Sequence, residues 1–347
     1  MQLHPKLYIA IVTLVLVAGV YMYVNNNISP SSSASPSPIS ELPPVSVAQQ
    51  NVSAAPTQQD FLSSGLMTNT AKSSIPLEKV LDGGPGKDGI PALTNPAFVS
   101  VDEATSFLKD DMEGILVTVG KTTRFYPYNI MVWHEIVNDS IEGRPLTVTF
   151  CPLCGSAIVF DAKVLSKSET FGVSGKLYES NLLMYDKTTE SLWSQIQGEA
   201  VVGKMTGTKL SLYPSQVLPF QDIKARYAHA KVLSAKTGYS RDYGLYPYGD
   251  YAESEDVYFP VSVSDKRLPA KEKMYIVQVG THSVALKLSD LQAEPASIAV
   301  GATSITAVRI NREVEVRSAD GTLIPGYYAM WFSWATHHEK DGIVWKK

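Results

Sequence analysis

The stretch Leu146-Thr-Val-Thr-Phe-Cys-Pro-Leu-Cys-Gly-Ser-Ala-Ile-Val-Phe160 carries both cysteines of the chain, Cys151 and Cys154. On either side of them the residues are β-branched or aromatic, so 146–150 and 157–160 read as strands. A thioredoxin-like Cys-x-x-Cys opens a helix, whose positive end lowers the thiol pKa. Here a strand follows instead, which puts the motif at the tip of a hairpin. Working outward, 115–119 alternates like a strand and Gly120-Lys121 is a turn. Further strands are expected at 258–263, 274–279, 283–288, 304–310 and 313–317. Ser100-Val-Asp-Glu103 is a capping-box pattern that opens a short helix to about Lys109. Pro127 suits the first turn of a helix reaching about Val137. The aromatic segment 327–336 is helix or strand by pattern alone. The expected fold class is α+β to mainly β, in one globular domain over 60–347.

Two stretches of that domain look alike. Val117-Thr-Val-Gly120 is followed by Pro127 and then Thr147-Val-Thr-Phe150, and Val277-Gln-Val-Gly280 by Leu288 and then Ser304-Ile-Thr-Ala307. The spacing suggests an internal duplication of strand, turn and strand. Its second copy carries Val308-Arg309 where the first has its cysteines, so the unit is expected to fold without thiols.

Composition sets limits. The 347 residues allow one or two ordinary domains, and 44% hydrophobic content allows a sizeable core. A net charge of −4 argues against nonspecific nucleic-acid binding. Two cysteines exclude a disulfide-stapled scaffold. Residues 7–24, from Leu7 to Val24, contain no charge, about the minimum for a bilayer span. Tyr8, Tyr21 and Tyr23 stand near its ends, where interfacial aromatics belong. Lys6 precedes the span and no Lys or Arg follows it until Lys72, so residues 1–6 are expected in the cytoplasm and the body outside the cell membrane. A cleaved signal peptide is the alternative. Residues 25–59 hold nine serines, six prolines and one charge, Glu41. Such a segment cannot bury enough apolar surface to offset its ordering entropy and is expected to be a disordered tether.

The chemistry-bearing residues cluster around the cysteines. In one reading the turn is a metal knuckle that aims the Cys151 and Cys154 thiolates at one ion, as in zinc ribbons. In a second the pair cycles between dithiol and disulfide. In a third it is a structural disulfide or two inert buried thiols. A metal needs further ligands. His134 lies in Trp133-His-Glu-Ile-Val-Asn-Asp139, just upstream of the cysteine hairpin, and is a candidate third ligand unless it is a satisfied core histidine. His338 is another candidate, although adjacent histidines are more often surface residues. Tyr178, Asn181, Trp193 and Gln195 combine rings, amides and hydroxyls, as a polar-ligand cleft requires, or else form a tyrosine-rich β surface. The loop from Thr237 to Tyr251 has a similar composition.

Asp88-Gly-Ile-Pro-Ala-Leu93, Trp133 to Asp139, Thr149-Phe-Cys-Pro-Leu-Cys-Gly-Ser156, Phe171-Gly-Val-Ser-Gly175, Ser180-Asn-Leu182, Leu192-Trp-Ser-Gln-Ile196 and Thr237-Gly-Tyr239 resemble, in order and spacing, the DUF3179 family. The resemblance covers about 81–338. The family is a domain of unknown function, so it supplies neither reaction nor ligand. It implies an exported or membrane-tethered bacterial or archaeal protein. The family's terminal W-A-x-F-H-P pattern falls on Trp334 to Glu339. His338 matches its histidine, whereas His337 replaces an aromatic residue and Glu339 a proline.

The leading expectation is a membrane-tethered extracytoplasmic protein that binds copper(I) or zinc through Cys151, Cys154 and His134. The alternatives are a thiol–disulfide redox enzyme using the same pair, and a surface module for glycan or peptide using Tyr178, Asn181, Trp193 and Gln195.

Overall fold

Two tight hairpins organise the chain. Strand Glu113–Val119 turns at Gly120 into Thr122–Pro127, and strand Lys273–Val279 turns at Gly280 into His282–Lys287. Both glycines take a left-handed backbone, φ 55° and 59°, which only glycine adopts without cost. The first strand of each hairpin receives an antiparallel neighbour, Gln216–Pro219 in one case and Gly326–Met330 in the other. Each neighbour runs straight into a seven-residue helix, Phe220–Arg226 or Trp331–His337. Each helix leads to a last strand, Lys231–Leu233 or Gly342–Trp345, that lies parallel to the second hairpin strand. The hydrogen bonds that seat the helices also correspond. Phe220 N–H donates to Met112 O and Trp331 N–H to Glu272 O, both at 2.9 Å. Gln221 N–H reaches Asp110 O at 2.8 Å and Phe332 N–H reaches Ala270 O at 2.9 Å.

Each half also contains a three-stranded meander. In the first it is Ile136–Ile141, Arg144–Cys151 and Ser156–Asp161; in the second, Ala296–Val300, Thr303–Ile310 and Glu313–Ser318. The meanders sit against the opposite half. Ala157 pairs with Tyr328, which fuses the first meander to the second hairpin in a nine-stranded sheet. The second meander lies beside Gln216–Pro219. There the Gln216 amide bridges to Val314, donating to its carbonyl at 2.8 Å and accepting from its N–H at 2.9 Å. The pairing registers place Thr147 opposite Thr306 in the comparison of halves, and Cys151 opposite Ile310. The sequence alignment of the two copies, Thr147 with Ser304, was therefore two residues out of step. Where the second meander turns at Asn311-Arg312, the first inserts Pro152-Leu-Cys-Gly155.

The first half further carries a five-stranded antiparallel sheet in the order Val80–Asp82, Phe171–Tyr178, Asn181–Asp186, Leu192–Ser194, Glu199–Val202. The structure is thus mostly β in a single domain, with open sheets.

The computed structural model describes residues 56–347. The expected anchor at 7–24 and the tether up to residue 55 lie outside the described residues. Among the described residues no helix is long and apolar enough to cross a membrane. Residues 57–59, which composition assigned to the tether, belong to the folded body: Thr57 and Asp60 form a capping box on helix Gln58–Ser63, which buries Phe61.

Several local expectations change. The capping box at Ser100 and Glu103 is present, yet its helix spans only Val101–Ala104. The helix after Pro127 is Tyr128–Met131 and stops well short of Val137. Glu135 turns left-handed, φ 55°, and β-branched Ile136 and Val137 enter the sheet opposite Thr149 and Val148. Segment 327–336 is both strand and helix, changing at Met330–Trp331. Residues 258–263 form no strand: the Tyr258 ring instead packs against Tyr251, centroids 4.3 Å apart and planes tilted by 56°, as cover for the core.

Candidate functional site

The cysteine turn is held from every side. Cys154 N–H donates to Cys151 O at 3.2 Å, closing the turn, and Gly155 at φ 54° returns the chain to the sheet. Met330 N–H donates to Cys154 O at 2.9 Å, tying the turn to the start of helix Trp331–His337. Tyr251 Oη donates to Leu153 O at 2.7 Å from above. Tyr251 belongs to the long connection between the two halves, so this connection covers the turn. Both thiols are free and buried, Cys151 at 1% exposure and Cys154 at 0%.

The two thiols differ in environment. Burial pushes the Cys151 thiol well up, and the Cys154 thiol beside it adds to the shift. Burial also acts against ionising Cys154, but the Cys151 thiol, Ser333 and Asn181 outweigh it and hold this thiol below its ordinary value. Ser333 contributes a hydroxyl near the sulfur without an aligned hydrogen bond. Cys154 Sγ itself donates to Ser180 O at 3.2 Å. Ser180 and Glu179 form a two-residue turn with both φ positive, 63° and 51°, strained for residues other than glycine. Glu135, left-handed as well, is buried at 6% exposure. Burial raises its carboxyl well above the usual range, the nearby Cys151 raises it further, and a 3.4 Å bond from Tyr248 Oη opposes them weakly. Phe150 N–H donates to Glu135 O at 2.8 Å, which fixes Glu135 next to the cysteine strand.

His134 does not join the thiols. Its Nδ1 lies 2.7 Å from Pro91 O, so this nitrogen carries the proton, and its Nε2 accepts from Tyr243 Oη at 2.7 Å. With both nitrogens engaged and the ring buried, its pKa falls to about 4, chiefly through desolvation. It is the satisfied core histidine that the sequence left open. His338 pairs with Asp341 at 3.2 Å. Among the described residues no group of three or more His, Cys, Asp or Glu could hold a metal ion. The expected Cys151, Cys154 and His134 ligand set is therefore not assembled, because the residue that the helix end turns toward Cys151 is Glu135.

Tyr178, Asn181, Trp193 and Gln195 do not line an open cleft. Trp193 is fully buried and donates from Nε1 to Asp186 at 2.9 Å. Gln195 is fully buried as well: it accepts from Ser156 Oγ at 2.6 Å and Asn181 Nδ2 at 2.9 Å, and donates to Thr149 Oγ1 at 3.0 Å. These residues are the polar floor under the cysteine turn. Tyr178, half-buried, meets the His337 ring edge-on at 5.8 Å.

Residues 87–322 match the model of a family described as a protein of unknown function, DUF3179. The chain belongs to that family. The match ends before the segment from Trp334 to Glu339, so His338 stands outside it. No curated protein and no solved structure matches the chain.

The DUF3179 body does contain an open cleft, formed by other residues. An inner cavity of about 360 Å³ has Pro152 and Gly155 of the cysteine turn in its wall, with Tyr128, Phe150, Tyr246 and Arg309. An outer cavity of about 710 Å³ shares Ala252, Lys271, Lys273, Leu288 and Arg309 with it. Glu135, Lys271 and Arg309 were not singled out from the sequence. Glu135 was quoted beside His134, and its position next to the first cysteine strand was the available signal. Lys271 and Arg309 meet Tyr128 and Phe150 only through the arrangement of the halves.

Proposed function

We propose that this chain is a membrane-tethered extracytoplasmic thiol protein whose Cys151–Cys154 pair cycles between dithiol and disulfide. The observation that carries the reading is the placing of two free thiols side by side, with the Glu135 carboxyl next to Cys151 and no third metal ligand converging among the described residues. An acidified thiol beside a raised one with a buried acid at hand is the arrangement a redox pair needs. The uncharged stretch from Leu7 to Val24 and the Ser/Pro-rich segment behind it support the tethering.

Burial favours a small disulfide as the oxidant, entering past Pro152 and Gly155. The Cys154 thiolate attacks one of its sulfurs, and the other leaves as a thiolate and takes the proton that the buried Glu135 carboxyl holds at rest. Cys151 then gives its proton to the Glu135 carboxylate so formed and displaces the first sulfur from Cys154, which leaves as a thiolate and takes up the proton that Cys154 released on ionising. The protein ends as a disulfide and the small molecule as two thiols.

The likeness of the halves supports a second element of the reading, that the domain arose by duplication of one hairpin–meander–helix unit. The cysteine turn is then an insertion in one copy only, since the other closes the same hairpin with Asn311-Arg312. A turn the unit folds without is free to serve chemistry.

Free-thiol titration of the full chain after equilibration in glutathione buffers of graded ratio, with metal content by mass spectrometry, tests the proposal. Two thiols that disappear together and return on reduction, without bound metal, support it. Two thiols protected by stoichiometric copper or zinc, or thiols that never oxidise, overturn it.

A further inference from the structure

We propose that the inner cavity binds a small organic anion with a flat apolar body. This goes beyond the thiol reading and does not depend on it. The cavity lies where corresponding positions of the two halves face one space. Glu113 and Lys273 open the first hairpin strand of each half, Tyr128 and Leu288 follow the second, and Phe150 and Arg309 stand one place before the end of the middle meander strand. All six line the cavity. Both donors are also tied by their backbone to the chain just before their own meander: Phe150 N–H donates to Glu135 O and Arg309 N–H to Gln292 O.

The two halves furnish these equivalent places with different chemistry. The first supplies rings: Tyr128 and Phe150 stack with centroids 4.0 Å apart and planes 17° from parallel. The second supplies cations, Lys273 and Arg309, joined by Lys271 just before its hairpin. Two of the cations at the cavity are neutralised: Lys273 pairs with Glu113 at 2.9 Å and Arg312 with Asp222 at 2.9 Å. Lys271 and Arg309 form no ion pair among the described residues. Lys271 donates to Tyr251 O and to Ser254 Oγ and lies 3.5 Å from the Tyr251 ring centroid. Arg309 spends one terminal nitrogen, NH1, on Leu288 O at 3.0 Å, while its buried Nε has no partner.

A half-buried guanidinium with a free Nε edge is a fork for two oxygens of a carboxylate or phosphate. The half-buried Arg309 guanidinium, with no carboxylate partner among the described residues, favours an anion, because the interaction is strong where water is excluded. Glu253, Glu255 and Glu272 line only the outer cavity, which leaves the inner one to the anion. The volume, about 360 Å³, is that of a small-molecule site, and stacked rings accept a planar group.

Calorimetric titration of the full chain with benzoate, phenyl phosphate, benzyl alcohol and benzylamine tests this. One or both anions should bind at least about tenfold more tightly than the alcohol and the amine. Benzoate ahead of phenyl phosphate assigns a carboxylate ligand, and the reverse order a phosphate monoester. Arg309→Met should remove that preference, Arg309→Lys should restore part of it, and the Cys151→Ser/Cys154→Ser double variant should keep it. If Arg309→Met fails to fold, Lys271→Met serves, with a loss of the same sign. Equal binding of benzoate and benzyl alcohol, absence of binding by both anions, or anion affinity indifferent to Arg309 and Lys271 overturns the proposal.

Discussion

Glu113 and Lys273 hold the same place in the two halves, the first residue of the first hairpin strand, and their side chains meet at 2.9 Å. A position that faces its own counterpart cannot carry one charge in both copies without repulsion, so the halves had to differ here. The pair is exposed on both sides, 64% and 41%, so water screens it.

Lys273→Glu should therefore lower stability by about 1 kcal/mol or less, and the exchange Glu113→Lys/Lys273→Glu should recover most of the loss. Urea midpoints of the two variants decide this. An exchange variant no better than the single one would mean that the contact contributes nothing.

Gln195 should matter more. Its amide satisfies Ser156, Asn181 and Thr149 in a space closed to solvent. Gln195→Ala strands those groups and opens a cavity, so a loss of about 3 kcal/mol is expected in the urea midpoint. A loss under about 1 kcal/mol would show that water enters and replaces the amide.

How much of this was legible in the sequence varies with the range of the interaction. The hairpin at Cys151–Cys154, the capping box at Ser100 and the strands at 274–279 and 304–310 follow from local patterns, and the structure contains them. The repeat was visible in Val117 to Gly120 and Val277 to Gly280, because a tight hairpin demands glycine at one fixed place. Its register was not, since Thr147 and Ser304 sit in strands whose alternation tolerates a two-residue slip. The site failed at His134, where proximity along the chain suggested a ligand. One residue with positive φ, Glu135, redirects the backbone, and neither hydrophobic period nor motif spacing encodes that. Arg309 was invisible as a site residue because it approaches Phe150 only across the join between halves.

His134 makes stability depend on pH. Its folded pKa is about 4 against 6.5 for a free histidine, so between these values the unfolded chain binds the extra proton. Its contribution is complete above pH 6.5 and is lost as pH falls toward 4, by up to about 3 kcal/mol. His337, also lowered to about 4 by burial, acts in the same direction. The stability difference between wild type and His134→Gln, measured from pH 7.5 to 4.5, should shrink on acidification. A constant difference would mean that the histidine takes up its proton as readily in the fold as in the unfolded chain.

Glu135 should act in the opposite sense. Its folded pKa is raised, chiefly by burial, so the native state keeps a proton that the unfolded chain gives up above its ordinary carboxyl range. Stability from this group is complete below pH 4.5 and is lost as pH rises through the folded value. Glu135→Gln keeps the shape and can still accept from Tyr248 but has no charge to bury. The variant should match wild type near pH 4 and exceed it at pH 8. The Glu135 charge also opposes ionisation of Cys154, so the same change should lower that thiol's pKa further. Cys154 in Glu135→Gln/Cys151→Ser should then react with iodoacetamide at lower pH than in Cys151→Ser alone. The resolving step should behave differently: with no carboxylate to take the Cys151 proton, Glu135→Gln should form the intramolecular disulfide at least about tenfold more slowly, within the range general-base removal produces. A variant that is more stable at pH 8 yet closes its disulfide at the wild-type rate would leave Glu135 a buried acid and nothing more.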